Sequence, residues 1–325
     1  MRAKIKFVDE MDPLYVLGLL LNPALGRVSE RAKRGQTLEP WGLNPHRADP
    51  GTPMALDDEG GYDQKIPEGL TGVVLFPIMN ATDALASIDL LASAAAKERP
   101  FKHHTVSFLS LCRTAIECSA QAIWVMSPFE RETRRSRAAG LAKIGTEHPR
   151  DYHAEAIKSH DNRLQLLPDL TYQQATHRLQ FHEDELAALD ELSPANGRSY
   201  KELVRKSANW IGENPPKHTN ETVQVHFPTV AKAQYRVCSS FTHGHSWATD
   251  LADGPSGMFS MMADAIATAI LFTECAVCLF EAQSTDPASG RQNHYPERLQ
   301  ATIDEWRGRY SASDGDSPPE SSPTE

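Results

Sequence analysis

The 325-residue sequence lacks the common motifs of nucleotide-binding proteins and hydrolases. It has no glycine-rich phosphate loop, no nucleophile elbow and no dinucleotide fingerprint. The run His182–Leu186 begins like a zinc-protease motif but lacks the second histidine. Runs in which apolar and polar residues alternate, as half-buried strands require, are also missing. We therefore expect neither a P-loop, Rossmann or α/β-hydrolase enzyme nor a bound cofactor.

Cysteine is scarce, and its pattern disfavours a metal site. The chain has five cysteines, an odd number. Cys275 and Cys278 form a CxxC pair, but it has no second pair and lies in the most apolar segment, so core packing is favoured over metal binding. His243 and His245 are separated by one residue and cannot share a helix face. We predict reduced thiols, a cytoplasmic location and no bound metal.

Positive charge is also in deficit. With 33 Lys and Arg against 43 Asp and Glu, the net charge is −10, which argues against a protein that coats nucleic acid through its whole surface. Residues 97–150 are nonetheless locally basic. This excess is typical of a solvated helix face, although it also leaves a local basic groove open.

No apolar run reaches the ~20 residues that a membrane span needs. The segment Leu14–Leu21 follows three acidic residues and precedes no small-residue cleavage site, so we expect no secretory signal. The segment Ala265–Phe280 is the most apolar later stretch and contains Glu274. We predict a central buried helix there and no membrane partner.

What the sequence has in abundance is apolar spacing of three and four residues, which predicts helix over most of residues 72–285. The expected fold is all-α, an antiparallel helical bundle. Residues 1–70 are predicted to form an irregular N-terminal arm, because glycine, proline and aspartate are frequent there. Residues 71–310 form the helical domain, in which 150–215 are a peripheral helical insertion. Residues 311–325 are predicted to be a disordered acidic tail.

The most informative stretch lies in a predicted long helix, Thr222–Asp250, which Pro228 must begin or bend. Arg236 and His243 are seven residues apart, which is about two helical turns, so they are expected to share a face. Ser240 and Trp247 fall on the same stripe. A histidine can transfer protons near neutral pH, and an arginine can hold a phosphate with two hydrogen bonds. This face is therefore a candidate catalytic site.

A second polar pair lies on the predicted helix Phe101–Ser127. Glu117 follows Arg113 by four residues, a spacing that lets the two side chains pair. Two interpretations stay open. The pair faces Arg236 and His243 across the bundle and supports the candidate site, or it is a structural ion pair that holds the register of the helices.

The spacing of Arg236 and His243 on a late helix of a bundle resembles the signature of the HEPN superfamily, an arginine followed by four to six residues and a histidine. The resemblance implies an all-α bundle and a metal-independent ribonuclease of a bacterial or phage toxin or defence type. It further implies RNA as the partner and a homodimer whose paired motifs form one site. In these roles Arg236 binds the scissile phosphate and His243 transfers protons, with Arg113 and Glu117 in support.

Val237 stands where members of this superfamily usually carry a polar residue. This departure favours the alternative interpretation, a non-catalytic helical binding or scaffold protein in which the Arg, His and Glu cluster is structural. The solvent exposure of Arg236 and His243 distinguishes the two interpretations. A catalytic pair of Arg236 and His243 has to line an open surface or an interface, whereas a structural pair is enclosed.

Overall fold

In a computed structural model that describes residues 23–66, 69–95, 104–161 and 171–311, the chain consists of helices and turns, with no strand. The all-α prediction is confirmed. Thirteen α-helices occur in these ranges: α1 (Pro23–Gln36), α2 (Glu39–Gly42), α3 (Pro53–Asp57), α4 (Tyr62–Lys65), α5 (Gly69–Ala95), α6 (Thr105–Met126), α7 (Arg131–Asp161), α8 (Tyr172–Asp190), α9 (Tyr200–Glu213), α10 (Glu221–Gln224), α11 (Phe227–Thr242), α12 (Gly254–Ser284) and α13 (Gln300–Ser311).

The core is built around α12. Every side chain from Thr268 to Ser284 is buried, and helices α1, α5, α6, α11 and α13 pack around it. The prediction of a central buried helix is confirmed, although the helix is longer at both ends than the apolar run Ala265–Phe280. A helix that is apolar on all sides is stable only when neighbouring elements cover all of it. This requirement makes α12 the axis of the fold.

By length and composition, α5 and α12 are both apolar enough to cross a membrane. Other residues of the chain bury 89% of the most apolar 18-residue segment of α12, but only 44% of the corresponding segment of α5. Burial of this extent on α12 is typical of a core helix, and it gives α12 a packing role that needs no lipid.

The segment before α5 is more regular than predicted. Residues 23–66 contain four short helices rather than an irregular arm, and they contribute Leu38, Trp41 and Met54 to the core. Pro40 and Pro53 lie in the first turns of α2 and α3, where a missing N–H has no helical partner to lose. The prolines that suggested an irregular arm thus begin helices instead of preventing them.

Two carboxylates of α12 attach this segment to the core. Glu281 accepts hydrogen bonds from Trp41 Nε1 (2.7 Å) and Thr285 Oγ1 (2.7 Å), and it pairs with His46 Nε2 (2.9 Å). Burial alone would raise the pKa of Glu281, but these partners outweigh it and the pKa is lowered. Trp41 and His46, both more than 200 residues away in sequence, are therefore held in place around the charge of Glu281.

Glu274 lies seven residues earlier and has no exposed side-chain surface. It binds Arg34 of α1 through two hydrogen bonds (3.1 and 2.6 Å) and Arg298 through two more (3.0 and 2.7 Å), and His218 Nε2 lies 3.0 Å from Oε2. Thr302 Oγ1 accepts from two backbone N–H groups, so its own proton is free to reach His218 Nδ1 at 2.9 Å. His218 Nε2 then donates to Glu274 Oε2.

The predicted peripheral insertion needs one correction. Helix α8 packs along α7 and buries only Ala175 and Leu189, as a peripheral element would. Helix α9 instead inserts apolar side chains, among them Leu203 and Ile211, between α6 and α11. Its apolar residues recur every three or four positions, so one face of α9 has to be buried in the core. The predictions for residues 1–22 and 312–325, including the acidic tail, lie outside the described residues.

Candidate functional site

The helix that carries Arg236 ends before His243. The predicted helix Thr222–Asp250 is wrong as a single element, because the chain turns twice within it. The structure divides this range into α10, α11 and a 3₁₀ turn, Ser246–Leu251. His243 is the residue that caps the carboxyl end of α11, and Trp247 belongs to the turn that follows.

A glycine cap explains where α11 stops. Gly244 has a φ of +71°, the left-handed conformation, and its N–H donates to the carbonyl of Phe241 (3.3 Å). The N–H of His245 donates to the carbonyl of Ser240 (2.9 Å). These two bonds form a Schellman motif, the usual way in which a glycine ends a helix. The signal was present in the sequence as Gly244, which comes three residues after Phe241, the last apolar residue of the helix.

We expect Gly244→Ala to lower the free energy of unfolding by about 1–2 kcal/mol, because a Cβ atom disfavours the left-handed conformation. Gly145→Ala is the matched control, since Gly145 lies inside α7 with open space around it. That change should raise stability by about 0.5–1 kcal/mol. Urea denaturation of both variants measures the difference. Equal effects of the two substitutions would contradict the cap.

Four side chains from α6 and α11 meet at one surface seam, which we call the α6–α11 site: Arg113, Glu117, Tyr235 and His243. Arg113 Nε donates to Glu117 Oε1 (2.8 Å), and Tyr235 Oη donates to the same oxygen (2.7 Å). Arg113 Nη1 lies 2.8 Å from His243 Nε2. The side chains of Arg113 and Glu117 are 18% and 14% exposed, whereas His243 is exposed. A largely covered ion pair thus holds an exposed imidazole.

The hydrogen bonds determine which nitrogen of His243 carries the proton. A guanidinium has only donors, so Arg113 Nη1 must donate and His243 Nε2 must accept. His243 is then the neutral ring with its proton on Nδ1. Burial alone would lower the pKa of Arg113, but the hydrogen bond and charge of Glu117 raise it, and Arg113 stays charged. Burial and the bond to Glu117 raise the pKa of Tyr235 to about 12.

The structure brings together three of the six predicted site residues, Arg113, Glu117 and His243. Arg236 is exposed on the outer face of α11 and, within the described ranges, has no ion-pair partner. Ser240 lies four residues after Arg236 on α11, whereas Trp247 lies beyond the end of the helix and does not share its stripe, which corrects the prediction for Trp247. Ser240 is only 3% exposed, whereas Trp247 is 45% exposed on the separate 3₁₀ turn.

Sequence reasoning missed two polar residues at this seam. Tyr235 precedes Arg236 and therefore points about 100° away, toward α6, where it meets Glu117. His245 was considered only as a metal ligand, but its ring lies with its centroid 6.2 Å from that of His243. The glycine cap turns the chain at Gly244, and this turn is what brings the second imidazole back toward the first.

Metal and thiol chemistry find little support in the described part of the chain. No group of three or more His, Cys, Asp or Glu side chains is placed there to hold a metal ion. All five cysteines are free thiols. Burial raises the pKa of Cys238, next to the seam, to about 12, and that of Cys118 to about 11. Thiols with such pKa values are almost fully protonated near neutral pH and are poor nucleophiles.

Comparison with known proteins adds no relative. No family model, curated protein or solved structure matches the chain. The function therefore has to be argued from the α6–α11 site itself.

Proposed function

We propose that the protein is a HEPN-like, metal-independent ribonuclease that acts at the α6–α11 site. One observation carries the proposal: the exposed His243 accepts a hydrogen bond at Nε2 from Arg113, and Glu117 holds that arginine in turn. A histidine base that is held in place by a neighbouring polar group is the arrangement that general-base catalysis commonly uses. The exposed Arg236 is a further cation on α11.

In the proposed reaction, His243 Nε2 takes the proton of an RNA 2′-hydroxyl, whose oxygen replaces Arg113 as the hydrogen-bond partner. The 2′-oxygen bonds to the adjacent phosphorus, and the bond from phosphorus to the 5′-oxygen breaks. His245, in its protonated form, gives a proton to that leaving oxygen. Arg236 and the released Arg113 neutralise charge on the non-bridging oxygens. The products are a 2′,3′-cyclic phosphate and a 5′-hydroxyl end.

The resemblance on which this proposal draws also implies a homodimer and a toxin or defence setting in the cytoplasm, and we include both in the proposal. Two copies of the α6–α11 site at one interface would supply further imidazoles to the same phosphate. Mass photometry of the full chain tests the dimer.

A binding or scaffold protein is the second candidate, and one observation favours it. Glu117 Oε1 accepts from both Arg113 and Tyr235, so it links α6 to α11 through groups that are largely covered. A largely buried ion pair that also accepts a hydrogen bond from a tyrosine is typical of a structural contact between two helices. In this alternative His243 is a surface residue that happens to complete the hydrogen bonds of Arg113.

The test of the proposed function uses a pair of oligonucleotides that differ only at the 2′ position. We expect the full-length protein, with EDTA present, to cleave single-stranded RNA and to leave its 2′-O-methyl counterpart intact, because the methylated sugar has no nucleophile. Mass spectrometry should find 2′,3′-cyclic phosphate ends. No cleavage of RNA would favour the scaffold. Cleavage of both oligonucleotides would contradict the 2′-hydroxyl mechanism.

A further inference from the structure

Four cations of this acidic protein lie close enough to interact through their charges, and we call them the basic patch: Arg137 of α7, Arg198 just before α9, and Arg205 and Lys206 of α9. Arg198 and Arg205 are exposed, and Arg137 and Lys206 are half-buried. On a chain of net charge −10, such a group of cations gives this surface a locally positive potential.

The loop that precedes α9 is held firmly against α7, and this contact brings Arg198 to Arg137. Ala195 N–H donates to the carbonyl of Ser136 (2.8 Å), and Ser136 Oγ donates to the carbonyl of Ser193 (2.8 Å). Gly140 makes the approach feasible, since a Cβ atom there would lie 2.4 Å from the carbonyl oxygen of Ala195. The patch is therefore a built feature of the fold and not a chance meeting of mobile side chains.

Of the four cations of the patch, Arg198 alone has an ion pair among the described residues. Arg137 Nη1 donates to the carbonyl of Trp124 (2.6 Å), and its guanidinium lies 5.2 Å from the centroid of the Trp124 ring. Arg198 pairs with Glu202 at 3.7 Å. Among the residues that the structure describes, no carboxylate lies at ion-pair distance from Arg137, Arg205 or Lys206. The patch carries more positive than negative charge.

Mutual repulsion follows from this excess. Burial, followed by the charges of Arg198, Arg137 and Arg205, lowers the pKa of the Lys206 ammonium. Burial and then the charge of Arg198 lower the pKa of Arg137. Like charges held together destabilise the fold unless a bound anion relieves them. The arrangement is therefore explained better by binding than by stability.

Tyr200 connects the basic patch with the α6–α11 site. It lies two residues after Arg198 and is 46% exposed. Burial and then the nearby charge of Glu117 raise the pKa of its phenol. Helix α9 is fastened to α6 here, because Ser207 Oγ donates to the carbonyl of Ala120 (2.8 Å). The half-exposed ring of Tyr200 thus lies between the basic patch and the α6–α11 site.

We propose that the basic patch binds the phosphates of single-stranded RNA and that the strand passes over Tyr200 to His243. Arginine and lysine neutralise successive phosphates, and an aromatic ring stacks on a base of any sequence. The inference rests on the proposed function, because it names the RNA segment that leads to the same site. Binding does not require cleavage, so the two are tested separately.

The experiment measures binding of a fluorescently labelled 2′-O-methyl single-stranded 12-mer to the full-length protein at several salt concentrations. The test variant is Arg198→Ala/Lys206→Ala. The matched control, Arg178→Ala/Lys217→Ala, also removes two positive charges, from α8 and from the loop before α10, where Lys217 has only a solvent-exposed pair with Glu305. We expect the test variant to raise Kd by about 10- to 30-fold in about 0.1 M salt and to reduce the salt slope by roughly 1.4.

A second readout separates a binding role from a structural one. Removing mutually repelling charges should leave the melting temperature of the test variant unchanged or higher, so lost binding cannot be attributed to unfolding. Tyr200→Ala should weaken binding as well, by loss of stacking. The proposal is overturned if the wild type does not bind the 12-mer, or if test and control variants bind alike. Patch-dependent binding without any RNA cleavage would support the patch and reject the ribonuclease.

Discussion

His243→Ala is expected to lower the rate of RNA cleavage by about 10²–10⁴-fold, the usual effect of removing a general base. The imidazole is exposed, and the substitution removes only its hydrogen bond with Arg113. We therefore expect the free energy of unfolding to change by no more than about 1 kcal/mol. Cleavage rates and urea denaturation on the same preparations measure both quantities.

The matched control for this prediction is His177→Ala, which removes an exposed imidazole of α8 far from the seam in sequence and structure. It should leave both rate and stability unchanged. Tyr235→Phe offers an intermediate case, since it removes the phenol that fixes Glu117 but keeps the ring. If His243→Ala cleaves RNA as fast as the wild type does, His243 is not the base and the α6–α11 site is structural.

Glu274→Ala is expected to lower the free energy of unfolding by about 3–5 kcal/mol, because it leaves Arg34, Arg298 and His218 around a space without its carboxylate. Taking one partner out of a buried ionic network costs far more than the network contributes as a whole. Thermal and urea denaturation should both record the loss, with a melting temperature lower by about 5–10 °C.

Asp264→Ala is the control for this substitution, since it lies on the same helix and pairs with another arginine of α1. The Arg31–Asp264 pair measures 2.9 Å, but the two side chains are 30% and 54% exposed. A solvent-exposed pair is worth only about 0–1 kcal/mol, so this control should remain near wild-type stability. If both substitutions lower the free energy of unfolding by the same amount, burial does not make the Glu274 network more important for stability than an exposed ion pair.

The same network predicts a dependence of stability on pH. Burial alone would raise the pKa of Glu274, but His218 and Arg34 lower it from an ordinary value of 4.5 to about 2. A carboxylate with a lowered pKa in the folded state stabilises fully above its unfolded value and loses that contribution as the pH falls. Roughly 3 kcal/mol should disappear between pH 4.5 and pH 2. Glu274→Ala should not show this loss.

Local patterns were enough to predict the fold class. Apolar spacing of three and four residues predicts helix, and a long apolar run that includes Ala265–Phe280 predicts a buried one, since both depend on neighbours along the chain. The Arg113–Glu117 pair was predictable for the same reason, as residues four apart meet on any helix. The end of α11 could have been predicted as well, because Gly244 is a local signal.

The sequence by itself determined an all-α chain with a buried central helix and an ion pair on α6, because these features follow from spacings within one turn or two. Only the tertiary structure decided that Arg113 reaches His243, that Glu274 gathers Arg34, Arg298 and His218, and that Arg137 and Arg198 share one surface. Each of these contacts joins residues tens to hundreds of positions apart. No periodicity encodes such contacts, because they depend on how whole helices pack and on which buried charges must find partners.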